Sequence, residues 1–430
     1  MSSRAIVLHP QISRVARVYD RRMRLEEACG LARAIRLNVA YSETVTVSRP
    51  RPSLLFGEGV IKRIKEIVEE KEIEVIIIDY KITPGQQRNL ERVWHSKVID
   101  RTGLILEIFG ERARTREGQL QVELAHLIYQ KSRLVRSWTH LERQRGGAGF
   151  LGGPGETQIE IDRRLIGERI ARLRKDLNKV VRTRNLHRAA RKRVPYTIVA
   201  LVGYTNAGKS TIFNALTKAD VFVKDQLFAT LDPTMRGIEL PSGRKIILSD
   251  TVGFVSELPP ELVAAFRATL EEVIEADVIV HVRDISHSET ESQKVDVEGV
   301  LARMGIIPEV GERPYSHTII EAHNKIDLMD PQELALLKNQ DRKNKDSVMV
   351  SGLTGEGTDK LIATIEHQIS ANRCELEVAI PISDGKTLAW LYRKGQVVNR
   401  QDGEVETKLK VLLEQADINR LTLNDTVRLL

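Results

Sequence analysis

Residues 197–217 read Thr197-Ile-Val-Ala-Leu-Val-Gly203-Tyr204-Thr205-Asn206-Ala207-Gly208-Lys209-Ser210-Thr211-Ile-Phe-Asn-Ala-Leu-Thr217. A buried-strand pattern runs straight into a loop bounded by glycines and then into a helical run. That is the context a phosphate-binding loop requires, and it places the segment in a parallel α/β domain. The glycines let backbone N–H groups turn inward around phosphates, and the helix N-terminus adds its positive end. Lys209 is predicted to reach the β- and γ-phosphates, and the Ser210 hydroxyl is placed to ligate Mg²⁺. A chance glycine-rich turn would not carry Lys-Ser and both flanking elements together.

Three further stretches fall in order behind the loop. Asp250-Thr251-Val252-Gly253 follows the strand pattern of 245–248. A carboxylate there can hold Mg²⁺ through water, and the Gly253 amide can sense a γ-phosphate. Asn324-Lys325-Ile326-Asp327 follows apolar residues 318–320. Asp327 offers two acceptor oxygens to the N1–H and exocyclic amine of guanine, a donor pair adenine lacks, so the expected substrate is GTP and the product GDP. Ser351-Gly352-Leu353 can close over the base with backbone groups. Between these motifs, in a stretch without strong periodicity, Thr230 is expected to close on the γ-phosphate and Mg²⁺ as a switch, with Thr234 as the competing candidate. Lys209, Thr230 and Gly253 are thus the expected catalytic groups. Many GTPases place a water-orienting glutamine after the Gly of Asp-x-x-Gly; here Phe254 stands there, which predicts slow intrinsic turnover. Asn206 offers a carbonyl oxygen where some phosphate-loop GTPases hold K⁺; a turn-stabilising role is the alternative.

Outward from this core, residues 1–110 alternate short apolar runs (5–8, 40–47, 75–78, 98–99) with helical patterns such as 60–70, which predicts a second, small parallel α/β unit. Its Gly57-Glu58-Gly59 lacks the third glycine of a dinucleotide fingerprint, Lys62 standing in its place. Residues 118–193 are long, charge-rich helix. Leu120, Leu124, Leu127, Lys131, Leu134, Trp138 and Leu141 form one coiled-coil seam, and Ile166, Ile170, Leu173, Leu177 and Val180 a second. The glycine-rich stretch 145–156 between them predicts an antiparallel hairpin. From 160 to 193, thirteen basic residues face four acidic ones, an excess of +9 in a chain whose net charge is +7, so everything else is slightly acidic. Concentrated positive charge of this kind favours a polyphosphate partner over a merely solvated face. The expected contacts are Arg163, Arg164, Arg172, Arg174 and Lys175, with Gly146, Gly147, Gly149 and Phe150 approaching a nucleic-acid backbone closely. Residues 375–430 read strand, helix, strand, strand. Cys29 and Cys374 alone cannot build a disulfide scaffold or a zinc site of usual spacing, which suits a reducing cytoplasm. No apolar run approaches a membrane span, so no integral membrane association is expected.

The order and wording of Gly-Tyr-Thr-Asn-Ala-Gly-Lys-Ser, Phe-Ala-Thr-Leu-Asp (228–232), Asp-Thr-Val-Gly-Phe and Asn-Lys-Ile-Asp resemble the HflX family of translation-associated GTPases. Gly-Gly-Ala-Gly-Phe-Leu-Gly-Gly-Pro-Gly-Glu-Thr-Gln at 146–158 is similar to that family's N-terminal signature. The resemblance runs from residue 1 to about 365, and 371–430 match only loosely in position and size. It implies nucleotide contacts from 203–210, from Phe228, Ala229, Thr230, Leu231 and Asp232, and from 250–253, 324–327 and 351–353, with Ser210 and Thr230 on Mg²⁺. It also implies a cytoplasmic GTPase, expected as a monomer, that binds rRNA of the large ribosomal subunit and dissociates stalled or idle ribosomes under stress. The alternative is a signalling GTPase whose coiled-coil arm recruits a protein or a membrane surface. The expected architecture is α/β: an N-terminal α/β domain (1–115), a basic helical hairpin (116–194), a GTPase domain (195–370) and a small α+β domain (371–430).

Overall fold

The computed structural model describes residues 3–12, 20–134, 158–191, 196–218, 227–228, 230, 233–256, 272–307, 318–341, 346–371, 373–403, 405–414, 418, 421 and 427–429. The glycine-rich loop with Gly146, Gly147, Gly149 and Phe150, the seam positions Trp138 and Leu141, and Ala229, Leu231 and Asp232 lie outside them.

Four short strands, β1 (Arg4–Ile12), β2 (Asn38–Val47), β3 (Val75–Ile78) and β4 (Lys97–Asp100), form an all-parallel sheet in the order β2-β1-β3-β4. Helices α1 (Arg21–Ala34), α2 (Glu58–Lys71), α3 (Pro84–Trp94) and α4 (Arg101–Arg112) connect and cover it. Both faces are packed, so β3 is the unbroken apolar run Val75-Ile-Ile-Ile78 rather than an alternating strand. Gly57 only begins α2, as its N-cap, with no side-chain cap.

Helix α5 (Arg116–Leu134) has two apolar faces where the sequence predicts one. Val122 and Ala125 are buried in the core shared with α4, while the seam residues Leu120, Leu124 and Leu127 are only half-buried beside the next helix. That helix, α6 (Gln158–Arg191), packs antiparallel to it. Arg169 pairs with Glu123 at 2.7 Å, and Gly167 lies close to the Lys131 ammonium. The α6 seam is as expected: Ile170 and Leu173 are buried, and Ile166, Leu177 and Val180 are half-buried.

The central sheet has six strands in the order β10-β9-β8-β5-β7-β6, built from β5 (Thr197–Gly203), β6 (Thr234–Glu239), β7 (Lys245–Asp250), β8 (Val278–Asp284), β9 (Thr318–Asn324) and β10 (Ser347–Met349). All neighbours are parallel except the edge pair β6–β7. Strand β6 is absent from the sequence reading because Thr234-Met-Arg-Gly-Ile-Glu239 has little alternation; its ladder with β7 holds it in place. The last sheet, built from β11 (Arg373–Pro381), β12 (Gln396–Asp402), β13 (Glu406–Glu414) and β14 (Arg428–Leu429) in the order β12-β13-β11-β14, is antiparallel, with one helix (Gly385–Lys394) on it.

One hydrophobic core crosses the boundary between the first and second sheets. Val7, Leu31, Ile105 and Phe109 share it with Val202, Phe228, Val252 and Phe254. Phe109 and Phe228 meet edge to face with ring centroids 4.7 Å apart, a geometry that adds about 1 kcal/mol beyond the area it buries.

Candidate functional site

The strand β5 ends in Gly203, whose φ of +153° is one that L side chains rarely adopt and whose lack of a side chain is required. A Cβ there would come within 2.2 Å of the Val282 carbonyl oxygen on β8. The chain turns through Asn206 (φ 61°) and Gly208 (φ 91°) into α7 (Lys209–Thr217). Lys209 is buried, and its ammonium donates to the carbonyls of Gly203 (3.1 Å) and Tyr204 (2.8 Å). Burial pulls its pKa down to about 8, against a smaller opposing pull from Asp250. A bound polyphosphate would favour the charged form and raise that pKa again, so the loop is poised for an anion.

Beside Lys209, three oxygens converge. Ser210 Oγ lies 2.6 Å from Asp250 Oδ2 and 2.8 Å from Thr230 Oγ1, and Thr230 Oγ1 lies 3.0 Å from the same carboxylate oxygen. The other oxygen, Asp250 Oδ1, is buried without a hydrogen-bond partner. Burial raises the Asp250 carboxyl, with the hydroxyls and Lys209 opposing. Hard oxygen donors, one carrying charge, suit Mg²⁺ and no softer metal. Among the described residues no group of three or more His, Cys, Asp or Glu side chains is placed to hold a metal ion. Thr234, the rival to Thr230, pairs with Asp250 in the β6–β7 ladder, so its backbone is committed to the sheet.

On the opposite flank, Asn324 is a clasp. Its amide donates to the Ala207 carbonyl (2.8 Å), and its carbonyl oxygen accepts from the Gly352 amide (2.9 Å). The contact is so close that a Cβ on Gly208 would fall 2.1 Å from Asn324 Nδ2. Asp327 is fixed by Ser351 Oγ at 2.5 Å, and Lys325 by Asp284 at 2.7 Å. The clasp thereby ties the phosphate loop to the two segments, 324–327 and 351–353, where base contacts are expected.

Several sequence-assigned residues stand elsewhere than expected. The Tyr204 and Phe228 side chains turn away from the phosphate loop, toward α1 and α4, so any nucleotide contact from them is through backbone. Thr251 donates to the Leu201 carbonyl (2.6 Å), Val252 is in the core, and Leu353 is 79% exposed. Arg163, Arg164, Arg172, Arg174 and Lys175 are, as expected, all exposed on α6.

Residues that no motif announced meet at the junction with the first domain. Phe254 lies alongside Tyr204 as a parallel bridge, its amide donating to the Gly203 carbonyl (3.0 Å) and its carbonyl accepting from the Thr205 amide (2.6 Å). The Ser256 amide donates to the Tyr204 hydroxyl at 2.8 Å, and that hydroxyl donates to Glu27 of α1. Arg101 of α4 donates to both the carbonyl and the hydroxyl of Ser256 (2.9 Å each), and it pairs with Glu27 and Asp79. Burial would raise Asp79, but Arg101 and His9 outweigh it and hold the carboxyl at about 2. A cleft of about 130 Å³ opens beside this junction, lined by Arg24, Glu27, Thr205, Asn206, His287 and Glu289 among others.

Comparison with known proteins agrees with this anatomy along the whole chain. Family models described as "GTP-binding GTPase N-terminal", "GTP-binding GTPase Middle Region", "50S ribosome-binding GTPase" and "HflX C-terminal domain" match residues 22–110, 112–191, 198–311 and 336–424. The "GTPase HflX" of Magnetococcus marinus is 48% identical over 419 residues, covering 97% of this chain and 94% of that protein. The "GTPase HflX" of Escherichia coli is 40% identical over 375 residues, 86% of this chain and 85% of the other. Similarity therefore continues through the C-terminal sheet, past the limit of about 365 that the motifs alone supported. Among solved structures, SsGBP in complex with GDP superposes with a TM-score of 0.50 at 24% identity, over 85% of this chain and 98% of that one, a likeness of fold.

Proposed function

The chain belongs to the HflX family of GTPases, and from that premise we propose that it spends GTP on the ribosome, docking on the large subunit through its basic helix and promoting dissociation of stalled or idle particles under stress. The observation that carries the reading is that Arg163, Arg164, Arg172, Arg174 and Lys175 are all exposed on α6, while its seam residues Ile166, Ile170, Leu173, Leu177 and Val180 are buried or half-buried. A coiled-coil adaptor would keep an apolar stripe open for its partner. This helix keeps charge open instead, which suits a phosphate backbone. The match of residues 198–311 to a "50S ribosome-binding GTPase" model supports the same partner.

In the catalytic reading, Asp327 selects guanine, Lys209 and the loop amides hold the phosphates, and the Gly253 amide and Thr230 close on the γ-phosphate. Ser210 and Thr230, with Asp250 through water, would hold Mg²⁺, which neutralises charge on the β- and γ-phosphate oxygens. Phe254 brings no side-chain group to a water, so hydrolysis waits on a partner that orders the switch. Asn206, at the cleft, is the residue that would take K⁺.

Co-sedimentation with large subunits in a non-hydrolysable GTP analogue, across a salt series, tests the docking. Changing Arg172, Arg174 and Lys175 together to Ala should weaken binding and flatten its dependence on salt, because fewer counterions are released. Phe150→Ala should weaken binding at nearly constant slope. Binding by both variants equal to the parent at every salt concentration would sink the reading and favour a protein partner for the arm.

A further inference from the structure

Arg101 and Glu27 belong to the first domain, yet they end on the segment that follows Asp-x-x-Gly. Arg101 holds Ser256 by two hydrogen bonds of 2.9 Å, and Glu27 accepts from the Ser256 hydroxyl at 3.1 Å and from the Tyr204 hydroxyl. Arg24 of α1 donates to the same Ser256 hydroxyl. Arg101 and Asp79 are almost completely buried, so the network is directional and shielded from water.

The segment that it grips lies directly on the phosphate loop. A Cβ on Gly253 would be 2.8 Å from Thr205 Cα and 3.0 Å from the Lys209 ammonium. The amide of Thr205, a residue of that loop, donates to the Phe254 carbonyl. A γ-phosphate needs both Lys209 and the Gly253 amide, with room between them.

We propose that Glu27 and Arg101 are positioning residues for the GTPase reaction: through Ser256 and the Tyr204 hydroxyl they hold residues 252–256 down on the phosphate loop, so that a γ-phosphate competes with the first domain for the place of Gly253. Admitting it breaks the two backbone bonds of Phe254 and draws Ser256 off its partners. GDP, which ends at the β-phosphate, makes no such demand. The network therefore has a differential free energy with the two nucleotides, which is the requirement for a nucleotide to shift a two-state element. Burial, reinforced by the Glu27 carboxylate, pushes the Tyr204 phenol well above its usual value, so it remains a hydrogen-bond donor throughout the neutral range. The inference concerns the nucleotide cycle and does not depend on the ribosomal partner.

Glu27→Gln and Ser256→Ala in the full-length protein provide the test. Each removes or weakens hydrogen bonds of the network without changing a residue of the phosphate loop. Equilibrium affinities for fluorescent GDP and for a non-hydrolysable GTP analogue are measured beside the melting temperature. The analogue should bind about three- to tenfold tighter in each variant while GDP stays within about twofold, the scale of one or two hydrogen bonds. The double variant should shift no further than the larger single one, since both act through one network. A residue that merely glued the domains together would move both nucleotides alike or neither. An unchanged ratio of the two affinities, with or without a lower melting temperature, overturns the proposal. If Glu27→Gln fails to fold, the ratio in Ser256→Ala is sufficient to uphold or overturn it.

Discussion

The two flanks of the nucleotide cleft are built by different means. The base flank, Asn324, Asp327, Ser351 and Gly352, is assembled wholly from one sheet, and its hydrogen bonds join residues of consecutive strands of that sheet and the phosphate loop. The switch flank is shared. Tyr204, Phe228 and Ser256 find their partners on α1 and α4, in a different sheet-and-helix unit and as far as 232 positions away in sequence. A self-contained flank can be rigid and choose its base. A flank whose closing segment is bonded to another domain can report to that domain which nucleotide is present.

The largest effect should come from the base flank. Asp327→Asn removes one acceptor and presents an amide to guanine's own donors, a buried mismatch of several kcal/mol. GDP affinity should fall by about a hundredfold or more, and xanthine nucleotides should gain. Isothermal titration with both diphosphates measures it, and undiminished GDP binding would remove Asp327 from its assigned role.

Stability should separate the flanks next. Phe228→Ala opens the interdomain core and should cost about 3 kcal/mol, as should Phe109→Ala, with the pair less than additive because the rings touch. Leu353→Ala, on the base flank and mostly exposed, should stay within about 0.5 kcal/mol. Urea unfolding of the three variants would break the comparison if Phe228 proved as replaceable as Leu353.

A smaller effect follows from Lys209, which both flanks serve. Its pKa is lowered to about 8 by burial, and phosphate favours the charged form, so nucleotide binding takes up a proton once the pH exceeds 8. GDP affinity should be level below that value and fall about tenfold between pH 7 and pH 9. Lys209→Met should bind weakly and lose this component of the profile. A wild-type profile no steeper than that of Lys209→Met would mean that the lysine stays charged without phosphate.

Least is expected from Asn206. If it takes K⁺, hydrolysis in KCl should exceed that in NaCl by a few-fold, and equal rates would return it to a turn-stabilising role.

The same contrast explains which features are legible in the sequence. Local chemistry is: the strand before Gly203, the helix after it, the four parallel strands of the first sheet and the α6 seam all follow from patterns within some twenty residues. Where structure depends on partners distant in sequence, no local pattern announces it. Strand β6 has no alternation of its own and exists because β7 pairs with it. Val122 and Ala125 form no part of the expected seam because the surface they cover is α4 and the shared core. Glu27 and Arg101 look like ordinary charged residues of amphipathic helices. Only the fold puts them against Ser256, and nothing in a short window of sequence marks a charge as buried.

The length of α6 gives the junction mechanical reach. Asp100, the residue before Arg101, accepts from the Tyr129 hydroxyl at 2.6 Å and from Arg133, both on α5, and α5 carries α6 alongside it. Beyond the Arg169–Glu123 pair the seam stays buried or half-buried as far as Val180, and from there to Arg191 the helix runs on for about 16 Å at 1.5 Å per residue. A tilt of roughly 5° would swing that end by about 1.4 Å over such a span. A small rotation of α4 would thus arrive at the basic end of α6 as a displacement of about half a hydrogen-bond length.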